Sequence, residues 1–529
     1  MVKKRAPIAF CAALALALAL AVALAPVAGS ALDGVAGFEG TGISSGHVAG
    51  RATLEFSEYI FVTGEPILLK GTIAIAKTSN GSTETTSLSY KLSNVGRKVQ
   101  LTRELTFTTE VEDKGNGQVV TTTALARDPS EKIVTDGDTY TLRSLDFTRT
   151  SLIDTQPAVS YYSGNTWYRK SYEVGGGAST TSSGRFVDVE AVSSFYGFDQ
   201  AWGRADVEET DMTIEYSGAA GGTVAGAGGS NGGPWAGAAS VRRSQSTVTE
   251  LRYVENEPTA ISFRGGFLET RRNDNVLEYT ARLPEFTAAG APTDRLLRHA
   301  DSAVIATFPS TKRLVSPDLR HLRGHWAEEA IAKLFGLEVF SSRPTQFIAE
   351  QQITRAEFAG AIVAAAKAVP ADPFLRVSAR GATTGAGRRA PEPAPSFTDV
   401  PATHEQFAAI EEAFSRGLMM PMAQNRFSPN ATITVADAAV VFIRALGLSS
   451  LASPHGAITE YADDASIPDY ARDALYAAQR IGLLRGDGQG NIYPSRALTK
   501  GEAAVMLDRF VEYMREELRK DYRERMLDY

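Results

Sequence analysis

One short pattern occurs three times in the carboxyl-terminal third of the chain, and its triplication constrains the fold more than any other feature. Ile353-Thr354-Arg355-Ala356-Glu357, Ile433-Thr434-Val435-Ala436-Asp437 and Leu498-Thr499-Lys500-Gly501-Glu502 each place a Thr three residues before an acid. In such a capping box the Thr hydroxyl accepts the N3 amide, and the acid reaches back to the N-cap amide. The spacing therefore predicts three helix starts, capped by Thr354 with Glu357, Thr434 with Asp437, and Thr499 with Glu502. Apolar residues recur one, four, five and eight positions after each acid, as in Phe358, Ala361, Ile362 and Ala365. That period gives each helix one buried stripe. A Gly precedes each Thr by 18, 17 and 17 residues (Gly336, Gly417, Gly482), where a preceding helix would end in a left-handed cap. The preceding helices are expected over Trp326 to Phe335, Phe407 to Arg416 and Tyr470 to Ile481.

One box arises easily by chance, whereas three in register with a helix and a Gly define a repeat. Further matching residues are His325-Trp326-Ala327 in the first unit, and Phe397-Thr398-Asp399, Gly417-Leu418 and Phe427-Ser428-Pro429 in the second. The third contributes Tyr461-Ala462-Asp463, Gly482-Leu483 and Ile492-Tyr493-Pro494. On these residues the region resembles the S-layer homology family. The resemblance covers about 210 of the 529 residues. It implies repeats at 316–369, 396–450 and 458–515, with a Pro/Gly/Ala-rich linker at 370–395, forming an all-α three-lobed spindle around a central helix bundle.

The resemblance also implies an exported surface or S-layer protein held non-covalently on secondary cell-wall polysaccharide, through a pyruvylated sugar. The residues expected to touch that ligand are Trp326, Arg355, Tyr470 and Lys500. An Arg fork pairs a planar carboxylate in two parallel hydrogen bonds, and an aromatic face suits a pyranose ring. Each position has a plainer reading: the Thr residues as caps first, Arg355 and Lys500 as solvated charges, Trp326 as lobe core. The second unit departs most, with Glu405 where the family has Trp and Val435 where it has Arg. The first has Ala349 where Pro429 and Pro494 stand in the others.

Residues 1–31 read as a signal peptide, because Lys3, Lys4 and Arg5 precede an Ala/Leu run and Gly29-Ser30-Ala31 offers a cleavage site. An uncleaved anchor is the competing reading. The single Cys11 lies inside that run, so the exported chain is expected to have no thiol chemistry.

From residue 32 to about 310 the chain is rich in Thr, Ser, Gly and Tyr, and apolar residues alternate with polar ones, as in Leu54 to Tyr59 and Leu101 to Phe107. That period predicts an all-β surface-exposed region, as a sandwich or as elongated antiparallel sheets. Asp113-Lys114-Gly115-Asn116-Gly117 and Asp136-Gly137-Asp138 read as turns. Tyr161, Tyr162, Trp167, Tyr168 and Tyr172 form the densest aromatic cluster, either strand packing or a sugar platform.

No nucleophile elbow, metal-spaced His pair or triad order occurs in this half, so no catalytic residue, metal or cofactor is assigned. A wall-anchored carbohydrate-active enzyme stays open as the alternative, since a carboxylate pair is invisible in sequence. A membrane barrel is disfavoured by the long polar loops. A net charge of −7 offers no basic surface, which argues against nucleic acid as a partner. Copies of the chain in a surface lattice are the other partner expected.

Overall fold

The computed structural model describes residues 40–45, 51–115, 117–176, 184–217, 233–254, 266–288, 290–366, 395–451, 458–518 and 520. The signal peptide and nearly all of the expected 370–395 linker lie outside the described residues.

The amino-terminal half is all β. Its strands are β1 (Gly42–Ser44), β2 (Ala52–Ile60), β3 (Ile67–Asn80), β4 (Thr83–Asn94), β5 (Val99–Asp113), β6 (Gln118–Leu125), β7 (Ser130–Val134) and β8 (Asp138–Thr155). There follow β9 (Val159–Gly176), β10 (Phe186–Gln200), β11 (Gly203–Ser217), β12 (Trp235–Val254), β13 (Gly266–Phe286), β14 (Pro292–Ala306) and β15 (Ser310–Arg313). All strands join one antiparallel sheet in chain order. The exceptions are β7, which bridges β5 and β8, and β15, which returns to β13. The all-β antiparallel class expected from the alternation is thus present, as one continuous sheet rather than two stacked ones.

Alternation explains which way the sheet curls. In β5, Leu101, Leu105 and Phe107 are buried while Gln100, Thr102 and Glu104 are exposed, and the same phase recurs in β4 and β11. The apolar faces share one core running from Ile43 to Ile305. Strand β2 meets β13 and β14 around that core: the Tyr59 hydroxyl donates to Asp301 Oδ2 at 3.4 Å, and the Tyr59 and Tyr279 rings lie 4.4 Å apart.

A charged layer interrupts this core. Arg103 donates to Glu58 at 2.9 and 3.0 Å and to Glu131 at 2.8 Å, and Lys170 reaches Glu131 at 2.8 Å. Beside them Arg149 and Arg243 share Glu208, at 2.9 and 2.6 Å. Burial pushes the Glu131 carboxyl up, but Arg103 and Lys170 overcome it and hold the group down at about 2. The strand β1 crosses the same interior, with every residue from Gly40 to Ser44 buried. Gly42 is required there, because a Cβ would stand 2.2 Å from the Phe56 ring.

The carboxyl-terminal half is helical: α1 (Glu328–Gly336), α2 (Arg355–Ala366), α3 (Phe407–Ser415), α4 (Val435–Leu446), α5 (Asp469–Arg480) and α6 (Lys500–Glu512), with a π-helical turn at Tyr513–Glu517. The expected left-handed caps occur at Gly417 (φ 68°) and Gly482 (φ 70°). Repeat one differs. Gly336 ends α1 in helical conformation, with Leu314 packed over it, and Glu338 takes the left-handed position at φ 59°. The hydrogen bonds explain the shift: Val339 N donates to Leu334 O, matching Leu418 N to Ala413 O and Leu483 N to Ala478 O. Glu338, not Gly336, is therefore the counterpart of Gly417 and Gly482.

The two halves pack end to end. Ala158 N, after β8, donates to Ala445 O at the end of α4, and Arg416 reaches Pro157 O at 3.1 Å. Gln200 donates to Met514 O, and Arg515 donates to Thr249 O. Trp202, Phe198 and Phe267 join the same core as Leu334 and Met514, with Trp202 only 1% exposed.

Candidate functional site

Three equivalent segments build the site, and backbone hydrogen bonds close them into a ring. Ile353 N donates to Leu498 O, Leu498 N to Ile433 O, and Ile433 N to Ile353 O, at 3.0, 2.9 and 3.4 Å. Two residues on, a second cycle runs in the opposite sense, as Arg355 N, Val435 N and Lys500 N donate to Ala431 O, Arg496 O and Gln351 O. One residue on, Ala356 N, Ala436 N and Gly501 N donate to Pro429 O, Pro494 O and Ala349 O. Only a carbonyl is used at that last position, so Ala349 serves as well as Pro.

All three capping boxes form. Glu357 N, Asp437 N and Glu502 N donate to Thr354, Thr434 and Thr499 Oγ1 at 3.2, 3.1 and 3.2 Å. The acids in turn accept the Thr amides at 2.9, 3.1 and 3.0 Å. Burial pushes the Glu357 carboxyl up, but Lys500 and the Thr354 amide win and hold it below its ordinary range.

The ring brings each box against the lead helix of the next repeat, giving interfaces α2 with α3, α4 with α5, and α6 with α1. Two of the three interfaces take a cation from the preceding box. Lys500 Nζ lies 2.7 Å from Glu357 Oε1 at the α2/α3 interface. Arg355 stands in the field of Asp437 at the α4/α5 interface. Val435 leaves the α6/α1 interface without a box cation, and Arg496 supplies one instead, donating to Glu502 at 2.9 Å.

The expected ligand residues are thereby distributed among three interfaces. Tyr470 is 62% exposed and its hydroxyl donates to Asp437 Oδ1 at 2.9 Å, on the Arg355 side. Trp326 is 63% exposed and tilts against His325, whose ring adjoins Gly501 at the start of α6. On the Lys500 side Glu405 lines the interface, together with Phe340. Arg355 is 7% exposed: Nε donates to Phe427 O at 3.0 Å, Nη2 to Met420 O at 2.8 Å, and the guanidinium stacks on Phe427. Burial lowers its pKa from the ordinary value. Its fork holds the loop of repeat two, a structural part that the box alone does not reveal.

The α2/α3 interface encloses a groove of about 610 Å³. It is lined by Thr354, Glu357 and Lys500 from the boxes and by Phe340, Gln406 and Glu412. Lys500 is the one Lys or Arg in this lining, which also carries the carboxylates of Glu338, Glu357, Glu405 and Glu412.

Two further residues carry parts that the sequence reading missed. Asp399 accepts Phe427 N and Ser428 N at 2.9 and 2.8 Å, and Asp463 accepts Ile492 N and Tyr493 N at 3.0 and 2.8 Å. Ser428 and Tyr493 are left-handed, at φ 59° and 50°. The lead Asp thus holds a strained turn, and the shared Phe/Tyr-x-Asp spelling was its signal. Asp487 accepts the Gln489 and Asn491 amides, closing a tight turn. No cluster of metal-ligating side chains occurs among the described residues.

The S-layer homology domain matches at residues 319–359, 396–439 and 460–504. The chain therefore carries three S-layer homology domains, which mark a cell-surface, wall-associated protein. It is 27% identical over 120 residues to the Surface-layer 125 kDa protein of Lysinibacillus sphaericus, covering 22% of this chain and 10% of that one. It is 29% identical over 112 residues to S-layer protein EA1 of Bacillus anthracis, covering 21% and 12%. An Amylopullulanase of Thermoanaerobacterium thermosulfurigenes is 26% identical over 188 residues, covering 35% and 9%. The chain thus spans about a tenth of the length of these relatives, and the enzymes match at the S-layer homology region. The matches support wall anchoring for the homology region, and the amino-terminal half lies outside them.

Proposed function

We propose that this chain is a surface protein that holds itself on the cell wall by binding secondary cell-wall polysaccharide in the interfaces of its helical ring. The observation that carries the reading is the α2/α3 groove of about 610 Å³, which Lys500 lines while paired to Glu357. A pyruvate ketal would bring its carboxylate to Lys500 in exchange for Glu357 Oε1, while the capped start of α2 adds favourable potential. At the other two interfaces Tyr470 and Trp326 offer exposed rings to the sugar, and at the α6/α1 interface the half-exposed Arg496 offers a cation, whereas Arg355 is held by the repeat-two loop.

The docking of the halves supports the same reading. The β half meets the carboxyl-terminal ends of α4 and α6, so the capped starts lie at the opposite ends of these helices. Capped starts directed at the wall leave the sheet projecting outward, where copies could meet in a lattice of the kind the S-layer relatives are named for. Calorimetric titration with a pyruvylated wall fragment tests the site. Lys500→Ala should bind at least tenfold more weakly while staying folded, and unchanged binding would remove Lys500 from the ligand site.

A further inference from the structure

The aromatic cluster of β9 is divided by the sheet. Tyr162, Tyr168 and Tyr172 are buried inside, whereas Trp167 faces outward, 38% exposed, with its indole N–H donating to Glu190 at 3.0 Å. Strand register then lays two rows across the outer face. In one, Trp167 opposes Val192, Val192 opposes Asp211, Asp211 opposes Ser240, and Ser240 opposes Thr280. In the other, Glu190 opposes Thr213, Thr213 opposes Ala238, Ala238 opposes Arg282, and Arg282 opposes Arg298.

The small side chains in the middle of both rows leave a trough of about 770 Å³ between Glu190 and the two arginines. A second hollow of about 490 Å³ adjoins it and shares Ser240 and Thr280. From β9 to β13 the distance is roughly 19 Å at about 4.8 Å per strand, the reach of an oligosaccharide rather than one sugar. Arg282 and Arg298 are directly cross-strand, both exposed, and among the described residues neither side chain has a hydrogen bond or ion pair. Like charges directly opposite are destabilising in a sheet, and an arriving anion would relieve that repulsion.

We propose that this trough binds an acidic oligosaccharide. Its carboxylates pair with the Arg282 and Arg298 forks, its hydroxyls donate to Glu190 and Asp211, and one ring stacks on the Trp167 indole. The site is separate from the helical ring and does not depend on wall anchoring.

The test is calorimetric titration of the full chain with hexagalacturonate, with cellohexaose as the neutral counterpart. The parent should bind the acidic hexamer more tightly than the neutral one. The double variant Arg282→Ala/Arg298→Ala should lose at least tenfold in affinity for the acidic hexamer, and Trp167→Ala should weaken both ligands. All three residues are surface-exposed, and a retained melting temperature would confirm that binding alone has changed. No heat from the parent, or equal affinity in the parent and the double variant, overturns the proposal. A dimer in the parent that the double variant loses, read by sedimentation velocity, would also overturn it by assigning the trough to a second copy.

Discussion

Lys500 Nζ lies 2.7 Å from Glu357 Oε1 although 143 residues separate them, so the cation of the third box faces the acid of the first. The same offset sets Arg355 in the field of Asp437, and with Val435 in the equivalent position of the second box, Arg496 supplies the cation beside Glu502. The ring is thus built from contacts between repeats, and its two box cations have unequal parts.

Arg355→Ala should therefore act on stability. It removes two hydrogen bonds from a buried guanidinium to the Phe427 and Met420 carbonyls and leaves those acceptors unpaired. A loss of about 2–4 kcal/mol is expected in urea denaturation. Lys500→Ala should change unfolding by no more than about 1 kcal/mol, since its partner's side chain is 39% exposed and solvent screens the pair.

The caps provide a uniform comparison. Thr354→Ala, Thr434→Ala and Thr499→Ala should each destabilise by about 1 kcal/mol through the lost N-cap bond, measurable as a shift in the denaturation midpoint. A far larger effect at one of them would show that this Thr does more than cap.

Acid should weaken the β half through Glu131. Its folded pKa of about 2 lies below its unfolded value, so the stabilisation is fully present above the unfolded pKa and is lost as pH falls through the folded one. Stability should be level above about pH 5 and decline towards pH 2. Glu131→Gln should be less stable at pH 7, because Arg103 and Lys170 lose their shared partner, and its stability should vary less with acid.

Trp202 tests the join between the halves. Trp202→Ala removes a side chain buried in the shared core and should cost about 3–5 kcal/mol. Calorimetry should then resolve separate transitions for sheet and helices where the parent shows one.

The helical ring was legible because its grammar is local: a Thr and an acid three residues apart specify a cap wherever the helix lies. The closure of the ring was not, since Lys500 and Glu357 are distant in sequence and only a shared register brings them together. Arg355 shows the same limit, because a box Arg reads identically whether it meets solvent or two carbonyls of another repeat. Gly336 misled for a local reason, as repeat one moves its left-handed residue to Glu338. In the β half the strands followed from alternation. Arg103 shares the phase of Leu101 and Leu105, so a charge pointing inward could have been read from the sequence, whereas its partners Glu58 and Glu131 could not.

Wall binding by the full chain is the most direct test of the central claim. Purified wall should co-sediment the protein, and wall chemically stripped of its secondary polysaccharide should leave it in solution, with Lys500→Ala intermediate on intact wall. Equal sedimentation with intact and stripped wall would contradict the account and assign the ring to peptidoglycan.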